Sequence, residues 1–508
     1  MIPHVGIDLG TTFSCMSYID ENGTPTVIKN SDGQETTPSV IYFDGKISYV
    51  GKKANERKLM ANSPIFEFVK RDIGKDQTHR YVVDGYNYGA CGFSAIILKK
   101  YKIEAYNFFK RKGWLSPDDT PQKLKIPAVI TVPAYFGDRQ RLETRVAGIA
   151  AGFDVYAIIN EPTAAALTFG IQLNNAKKIL VFDLGGGTFD VTILEVGGDE
   201  AKVIASDGAD RLGGKDWDAI IEAYLNSEFE RLTGKEVSYD YAWEIQKLAL
   251  QAKFELSDNP SACITLNSDS GSIDVELFRQ REENGNNGLI LLDDKDDKFY
   301  FEERSENLLT LCKAILSTTL EKAKITWNDI DEIVLAGGSS RMPMILRMLE
   351  KISGREIRKN IVGFSYDTAI SQGAALFGRT GNKVIDVTSK SIGIELKEAG
   401  RPVIEHLIRK NSQLPINITE RFPSEANAVL KVYEGESKSP DECVLRGRLE
   451  LGNPAGEVEI SLSIDFNGMM KARVESNGVK AELTIKSESG DIDSSDLSER
   501  ISKIDIRL

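Results

Sequence analysis

The chain has 508 residues and a formal net charge of −13, with 41% hydrophobic and 27% charged residues. This acidic balance argues against a nucleic-acid partner, because phosphate backbones bind basic surfaces. No apolar run reaches the roughly 18 residues that a transmembrane helix needs, so we expect no membrane partner. At roughly 150 residues per domain, the length predicts about three compact units.

Histidines and cysteines are few and dispersed. The three histidines do not pair at metal-ligand spacing, so a histidine-based zinc site or catalytic triad is not expected. The five cysteines are odd in number and form no Cys-x-x-Cys motif, which indicates thiols in a reducing compartment. The stretch before Gly6 is too short for a signal peptide. We therefore expect a cytoplasmic protein.

The first predicted element is a hairpin near the N-terminus. The apolar run His4–Leu9 carries Asp8 near its end and is followed by Gly10 and two threonines. Alternating residues resume over Cys15–Ile19. This order indicates strand, turn and strand, not a strand followed by a helix.

Helical and strand patterns then alternate through about residue 380, which predicts an α/β architecture. The predicted helices are Asp138–Ala151, Asp216–Leu232, Tyr241–Leu256, Ser305–Ala323 and Pro343–Ile352. The predicted strands include Pro127–Val132 and Asp331–Leu335.

Two features of the first half return in the second. The segment Ile179–Asp190 repeats the order of apolar run, aspartate, glycines and threonine, and strand residues follow it over Val191–Leu194. The small-residue helices Glu161–Gly170 and Asp367–Gly378 also resemble each other. This double repetition predicts a duplicated domain of two lobes, with closely crossing helices at the hinge.

The pattern of apolar and polar residues changes after Gly381. Short alternating stretches fill Val387–Lys486, and turns such as Asn467-Gly468 separate some of them, which predicts an all-β sandwich. The last stretch, Ser487–Leu508, is rich in serine and aspartate and is predicted to be a short tail or a frayed helix.

The two glycine turns suit a phosphate, because glycine lets backbone N–H groups converge on an anion and threonine hydroxyls add donors. An aspartate at the strand end can hold magnesium through waters. No Gly-Lys pair is followed by Ser or Thr, so a Walker A loop is excluded. Asp190 stands where a Rossmann fingerprint needs its third glycine. The nucleotide-binding arrangement that remains is the pair of phosphate-binding hairpins found in actin, sugar kinases and their relatives.

Six motifs resemble, in family order, signatures of the seventy-kilodalton heat-shock chaperones of the DnaK type. They are Ile7–Thr12, Ile130–Phe136, Asn160–Ala166, Phe182–Asp190, Leu212–Asp218 and Ala336–Pro343. The resemblance implies an actin-like ATPase of two ribonuclease-H-like lobes followed by a peptide-binding β-sandwich. It implies ATP or ADP with magnesium, and it allows potassium. The implied partners are unfolded or extended polypeptides, a J-domain co-chaperone and a nucleotide-exchange factor.

The resemblance also assigns residues to the ATPase. Lys70 would reach the γ-phosphate and the attacking water, and the implied catalytic set is Lys70, Glu161, Asp183, Thr188 and Asp190. Asp8 and Asp183 would surround the metal. The implied nucleotide-binding residues are Gly10, Thr11, Thr12, Phe13, Gly185, Gly186, Gly187, Thr188, Gly213, Gly214, Lys253, Phe254, Ser257, Gly337, Gly338, Ser339, Arg341 and Asp367. Without the resemblance, Lys70 would be interpreted as a solvated surface charge.

Coupling and peptide binding are assigned in the same way. The implied switch residues are Pro133, Arg141 and Asp386. The implied peptide pocket consists of Ile394, Phe422, Ala428, Leu430, Val458 and Ile460, with membership of the sandwich core as the equal alternative. The predicted boundaries are 1–380 for the ATPase, 381–387 for the linker, 388–486 for the sandwich, and 487–508 for a short tail or the start of a truncated lid.

Some positions depart from the family pattern. Leu250 replaces a glutamate that bonds the ribose, so weaker nucleotide binding is expected. Lys215 replaces an acid, so contacts between the lobes are expected to differ. The linker has only two apolar residues before Asp386, which predicts weaker docking on the ATPase.

These features suggest three functions. The first is an ATP-hydrolysing chaperone that binds extended apolar segments of unfolded proteins. The alternative is a non-cycling ATP-binding co-chaperone or interaction module with little turnover. A sugar kinase on the same fold is disfavoured, because it leaves the β region unexplained.

Overall fold

The structure is a computed structural model. It describes residues 2–58, 63–75, 81–170, 177–197, 200–268, 271–281, 298–358, 365–380, 383–398, 400–424, 429–450, 456–476, 479–483 and 494–508. Among these residues, no helix is long and apolar enough to cross a membrane.

The strands up to residue 170 are Val5–Asp8 (β1), Phe13–Ile19 (β2), Pro25–Val27 (β3), Thr36–Pro38 (β4), Val40–Phe43 (β5), Ile47–Val50 (β6), Ile65–Glu67 (β7), Val82–Val83 (β8), Tyr86–Asn87 (β9), Ile126–Val132 (β10) and Phe153–Asn160 (β11). The helices of this part are Lys52–Arg57 (α1), Gly89–Arg111 (α2), Asp138–Ala150 (α3) and Glu161–Gly170 (α4).

The strands from residue 177 to the linker are Lys177–Leu184 (β12), Phe189–Gly197 (β13), Glu200–Ala209 (β14), Ser261–Ser268 (β15), Gly271–Phe278 (β16), Phe299–Tyr300 (β17), Glu332–Ala336 (β18) and Lys383–Ile385 (β19). The helices of this part are Gly214–Thr233 (α5), Tyr239–Asp258 (α6), Phe301–Arg304 (α7), Glu306–Ala323 (α8), Pro343–Ser353 (α9) and Ala369–Thr380 (α10).

The remaining strands are Ile392–Glu398 (β20), Arg401–Ile408 (β21), Ile416–Ser424 (β22), Val429–Glu434 (β23), Val444–Glu450 (β24), Gly456–Ile464 (β25), Met470–Ser476 (β26), Val479–Leu483 (β27) and Asp505–Arg507 (β28). The last helix is Ser494–Lys503 (α11).

Two sheets of the same construction form the cores of two lobes. In lobe I the strand order is β11-β10-β1-β2-β3, and in lobe II it is β18-β12-β13-β14-β19. In both lobes the strand that carries the glycine turn pairs antiparallel with the next strand and parallel with a later one. The predicted duplication and both predicted hairpins are confirmed.

Helices α4 and α10 cross closely between the lobes. A Cβ added to Gly373 would lie 1.8 Å from the carbonyl oxygen of Ala164, and the hydroxyl of Thr168 donates to the carbonyl oxygen of Ala369 at 2.6 Å. Only a residue without a side chain allows backbones this near. The prediction of closely crossing small-residue helices is confirmed.

The predicted helices form within one or two residues of their predicted ends, because their sequences carry start and stop signals. For example, α9 begins with Pro343 and ends at Gly354, whose φ of 68° is left-handed. The longest described helix, α2, was not predicted. It is buried around most of its circumference, so it lacks the polar stripe that marks an amphipathic helix.

The β region forms two four-stranded antiparallel sheets, β21-β20-β23-β24 and β22-β25-β26-β27. Alternate residues of both sheets face one common hydrophobic core, as the pattern of β25 illustrates. The predicted sandwich is confirmed among the described residues.

The linker and the C-terminal segment are both ordered against the lobes. The linker strand β19 pairs parallel with β14 at the edge of the lobe II sheet. The segment that was predicted as a tail or frayed helix forms α11 and β28, which pack on lobe I. The segment is ordered and not a tail or a frayed helix, because two apolar side chains of α11, Leu497 and Ile501, enter the lobe I core.

Candidate nucleotide site and its connection to the sandwich

Four carboxylates converge where the two lobes meet. Asp8 ends β1, Asp183 and Asp190 face each other across the β12–β13 pair, and Glu161 begins α4. The last three of these residues are buried. Each one therefore comes from a strand end or helix start, where a rigid element fixes its position.

Lys70 supplies the positive charge of this cluster. It lies in a 3₁₀ turn, Val69–Asp72, and is only 4% exposed. Its ammonium group forms a hydrogen-bonded ion pair with Glu161 Oε1. The prediction that Lys70 belongs to the site agrees with this placement, and the alternative of a solvated surface charge is wrong.

The pKa values reflect the excess of negative charge. Burial, reinforced by Glu161, raises the pKa of Asp8 to about 7. Burial and the charge of Glu161 also raise the pKa values of Asp183 and Asp190 well above their usual range. Burial alone would lower the pKa of Lys70, but Glu161 and Asp8 outweigh it and the pKa is raised. The cluster is therefore short of positive charge.

A hydrated divalent cation fits this arrangement. Thr12 Oγ1 and Asp190 Oδ2 are buried and have no hydrogen-bond partner among the described residues. No three acidic, histidine or cysteine side chains in that part of the chain form a closed metal site. Magnesium usually keeps several waters and takes only one or two carboxylates together with phosphate oxygens, so an open site is what it requires.

The two glycine hairpins touch each other beside the carboxylates. A Cβ on Gly186 would lie 1.8 Å from Thr12 Oγ1, and one on Gly187 would lie 2.5 Å from Thr11 Cγ2. Gly213 is equally close to Gly187, since its Cβ would lie 2.6 Å from that backbone. Glycine is therefore required at each of these positions. Backbone N–H groups of two glycine turns that lie this close together can converge on one phosphate.

Lobe II holds the next group of predicted residues. The N–H of Gly214 donates to the carbonyl oxygen of Gly185 at 2.9 Å, and Lys253 Nζ donates to the carbonyl oxygen of Gly214 at 3.1 Å. Lys253 also pairs with Asp218 at 2.7 Å, an acid that sequence reasoning missed. The Ser257 hydroxyl donates to the carbonyl oxygen of Lys253 at 2.9 Å. This network fixes α6 against the start of α5.

Two aromatic rings stand open to solvent. Phe254 is 54% exposed and Phe13 is 45% exposed. An exposed phenylalanine ring can stack on a base, and such stacking would be consistent with the prediction that Phe254 is a nucleotide-binding residue. Nothing among the described contacts assigns that role, so it stays a prediction.

Most of the remaining predicted residues follow β18. Gly337 has a φ of 75°, and its Cβ would lie 2.4 Å from the carbonyl oxygen of Leu184. Arg341 and Asp367 form a partly exposed ion pair at 2.7 Å. Gly10 also requires glycine, since its Cβ would lie 1.8 Å from the carbonyl oxygen of Phe13. The structure places Gly338 and Ser339 in the 3₁₀ turn between β18 and α9.

Two contacts join the lobes and were missed in the sequence. Arg71 Nε donates to the carbonyl oxygen of Gly187 at 2.9 Å, and its guanidinium pairs with Asp216 at 3.0 Å. Lys215 Nζ lies 3.7 Å from the centroid of the Phe68 ring. The lobe contact at Lys215 thus involves a cation and an aromatic ring. Both contacts join residues that are far apart in the chain, so no local pattern could indicate them.

Replacing Arg71 by alanine should slow ATP hydrolysis roughly 10-fold to 100-fold and speed nucleotide release, because a hydrogen bond to a charged group contributes about 1.5–3 kcal/mol. Single-turnover hydrolysis and release of a fluorescent nucleotide would measure both effects. Lys75→Ala is the matched control, since Lys75 pairs with Asp210 across the lobes without touching the phosphate hairpin. Equal rates in the two variants would contradict the role of Arg71.

The three predicted switch residues lie on a path from the carboxylates to the linker. Asp190 Oδ1 accepts a hydrogen bond from the N–H of Ala134, the neighbour of Pro133, at 3.2 Å. Arg141 donates to Asn160, which precedes Glu161. Asp386 is buried beside Arg141, and burial raises its pKa. The structure brings these residues together, and their role in switching stays a prediction.

The sandwich lies directly against both lobes. The N–H of Met470 donates to Asp138 Oδ1 at 2.7 Å, and Lys410 pairs with Asp207 at 2.8 Å. The buried pair Arg446–Glu434 faces Gly137 at the start of α3. With the linker strand also in place, the structure shows a docked conformation.

Docking should depend on pH through Asp138. Burial raises the pKa of Asp138 to about 6. The Met470 N–H and the charges of Arg446 and Arg141 act in the opposite direction, but burial outweighs them. The docked form therefore holds the proton more tightly than a separated form in which water reaches Asp138 and its pKa returns towards the ordinary value of 3.8. Docking should weaken as pH rises from about 4 to 6 and stay constant above 6. The total change is about 3 kcal/mol.

Asp138→Asn keeps the acceptor for Met470 and removes the charge. We expect it to strengthen docking at pH 7.5 and to abolish the change between pH 5 and pH 7.5. Exchange of the Met470 amide hydrogen measures docking, and Asp154→Asn, at an exposed aspartate of lobe I, is the control. An unchanged pH profile in Asp138→Asn would contradict the assignment.

The predicted peptide residues are mostly in the sandwich core. The side chains of Ile394, Leu430, Val458 and Ile460 are at most 5% exposed, and Phe422 packs against them. Ala428 lies outside the described residues. In this docked conformation the four buried side chains contribute to the core, and their contact with a peptide stays a prediction.

Comparison with known proteins agrees with this architecture. The family model described as Hsp70 protein matches residues 4–505. The chain is also similar to the protein named Chaperone protein DnaK of Thermosipho melanesiensis. The two are 34% identical over 507 residues, which covers 95% of this chain and 79% of that protein. The chain therefore belongs to the Hsp70 family.

Proposed function

We propose that this protein hydrolyses ATP between its two lobes and uses that cycle to bind and release extended segments of unfolded polypeptides at its sandwich. It is an ATP-dependent chaperone of the DnaK type. The observation that carries the proposal is the Lys70–Glu161 pair at the meeting point of the two glycine hairpins, connected through Asn160 and Arg141 to the linker. Nothing in the site favours the non-cycling alternative.

Different residues of the chain have different roles in hydrolysis. The hairpin N–H groups and threonine hydroxyls bind and orient the phosphates. Lys70 offsets the charge that develops on the transferred phosphoryl group, and the buried carboxylates orient the attacking water. Members of this family use a nucleotide with a divalent metal. We propose magnesium, which would supply Lewis-acid polarisation of the phosphate oxygens, with Asp8 and Asp183 holding its waters. Potassium is a further candidate ion for this site.

The partners follow from the family. We propose unfolded or extended polypeptides as clients, with a J-domain protein that stimulates hydrolysis and an exchange factor that opens the lobes. The five cysteines are all free, which supports a reducing compartment such as the cytoplasm.

Single-turnover hydrolysis of ATP with magnesium tests the ATPase. We expect slow phosphate release in the wild type and a large loss in Thr188→Ala, because Thr188 is a buried hydroxyl residue of the second glycine hairpin. No release above background in the wild type would contradict the proposal. Fluorescence binding of an apolar heptapeptide with ADP and then with ATP tests the coupling, and identical affinities in the two states would contradict it.

A further inference from the structure

The outer surface of lobe I carries a docking site for the last fifteen residues of the chain. Residues 494–508, here called the strap, consist of α11 and β28. The strap side chains Leu497, Ile501, Ile504 and Ile506 are at most 8% exposed and belong to the same hydrophobic core as lobe I. The apolar face of the strap is thus built into the lobe.

The strap also completes a sheet of lobe I. Strand β28 pairs parallel with β6, with Asp505 opposite Ile47 and Arg507 opposite Tyr49. The N–H of Asp505 donates to the carbonyl oxygen of Lys46 at 2.9 Å. In the sheet order β28-β6-β5-β7, the strap covers β6, which would otherwise be an edge strand.

Side chains of lobe I fix both ends of α11. Lys99 Nζ donates to the carbonyl oxygens of Ile501, Ser502 and Ile504 at 2.7, 3.0 and 2.6 Å, which satisfies the open end of the helix. Arg500 lies 3.7 Å above the ring centroid of Tyr86. The Tyr86 hydroxyl donates to Asp496 at 3.1 Å, in the first turn of the helix.

The strap is joined to the sandwich by a short connection. Ten residues, 484–493, separate β27 from α11, and an extended chain of that length reaches at most about 36 Å. The linker holds the other end of the sandwich at lobe II. A domain attached at both ends stays at a high effective concentration beside its docking surface.

We propose that the strap is a permanent intramolecular anchor that keeps the sandwich docked on the lobes with ADP as well as with ATP. The anchor itself is a property of the fold. Its consequence for peptide release rests on the proposed function. An anchored sandwich exchanges clients by local opening and not by leaving the ATPase.

Distances between two labels test the anchor directly. Exposed Cys263 carries one label on lobe II, and Lys471→Cys carries the second on the sandwich, in a Cys443→Ser background. A protease recognition sequence replaces part of residues 484–493, so that the same full chain is measured before and after the tether is cut. Pulsed electron paramagnetic resonance gives the distance distribution with ADP and with ATP.

Before cleavage we expect one narrow distribution that is the same with both nucleotides. After cleavage we expect the distribution with ADP to broaden towards longer distances. A broad distribution with ADP in the uncut protein, or no change on cleavage, would overturn the proposal. Neither distance measurement depends on peptide binding or on ATP hydrolysis. A failure of the anchor proposal and a failure of the ATPase assay can therefore be told apart.

A point substitution gives a second test without cleavage. Ile501→Asp introduces a charge into the lobe I core, whereas Ser495→Asp places the same group at an exposed position of the same helix. We expect at least 10-fold faster hydrogen exchange in β6 for Ile501→Asp and no change for Ser495→Asp. Equal exchange in both variants would show that the strap does not cover β6 in solution.

Discussion

Replacing Lys70 by alanine is expected to reduce single-turnover ATP hydrolysis at least 100-fold. Lys70 is the one cation paired within a cluster of four carboxylates among the described residues. A preorganised donor of this kind contributes roughly 10²–10³ in rate, because it meets charge that develops in the transition state. Its loss also leaves Glu161 buried beside other carboxylates without a counter-charge.

The second consequence of Lys70→Ala is a loss of stability in the absence of nucleotide. Breaking a buried ion pair by removing one partner costs about 3–5 kcal/mol. Thermal unfolding with and without nucleotide and magnesium separates this effect from the rate. Lys58→Ala, which removes a partly buried pair with Glu67, is the control for loss of a lysine. Hydrolysis within about 3-fold of the wild type would contradict the assigned role.

Much of the fold could be predicted because its signals are local. The hairpins at Asp8 and Asp183 combine a strand, a glycine turn and a second strand within a few residues, so pattern alone identifies them. The crossing of α4 and α10 was also predictable, since a run of small residues on a helix indicates close approach to another backbone. Helix α2 was missed because burial on most sides removes the polar stripe on which recognition depends.

The parts that could not be predicted depend on distant partners. Arg71 acts through Gly187, which is 116 positions away. The strap does contain a helical signal, Leu497, Ile501 and Ile504, but the serines and aspartates around it favour a tail. Its burial depends on an apolar surface near α2 and α3 that no local pattern shows.

Two further outcomes concern the sandwich and its linker. A shortage of apolar residues predicted weak docking of the linker, yet β19 pairs with β14 through backbone groups that are independent of side-chain type. The sequence pattern also could not separate core from peptide pocket, because both require apolar residues at alternate positions of the same strands. Ile394 and Val458 show the result, since both are buried in the core.

Replacing Gly373 by alanine is expected to disrupt the hinge between the lobes. The new Cβ would lie 1.8 Å from the carbonyl oxygen of Ala164 and 2.5 Å from its carbonyl carbon, so α4 and α10 must move apart. Backbone atoms cannot rotate away as a side chain can. We expect a loss of about 3 kcal/mol, at the upper end of overpacking effects, and a melting temperature lower by roughly 3–5 °C.

The same substitution should also reduce hydrolysis, because Glu161 is the first residue of α4 and pairs with Lys70. A displacement of about 1 Å at a catalytic group can reduce the rate roughly 100-fold. Gly170→Ala is the matched control. Gly170 lies on α4, the helix that α10 crosses, but its Cβ would meet only the end of the Val196 side chain at 2.7 Å, which can shift. Differential scanning calorimetry and single-turnover assays compare the two variants. If Gly373→Ala retains the stability and rate of Gly170→Ala, the close crossing of α4 and α10 is not what positions Glu161.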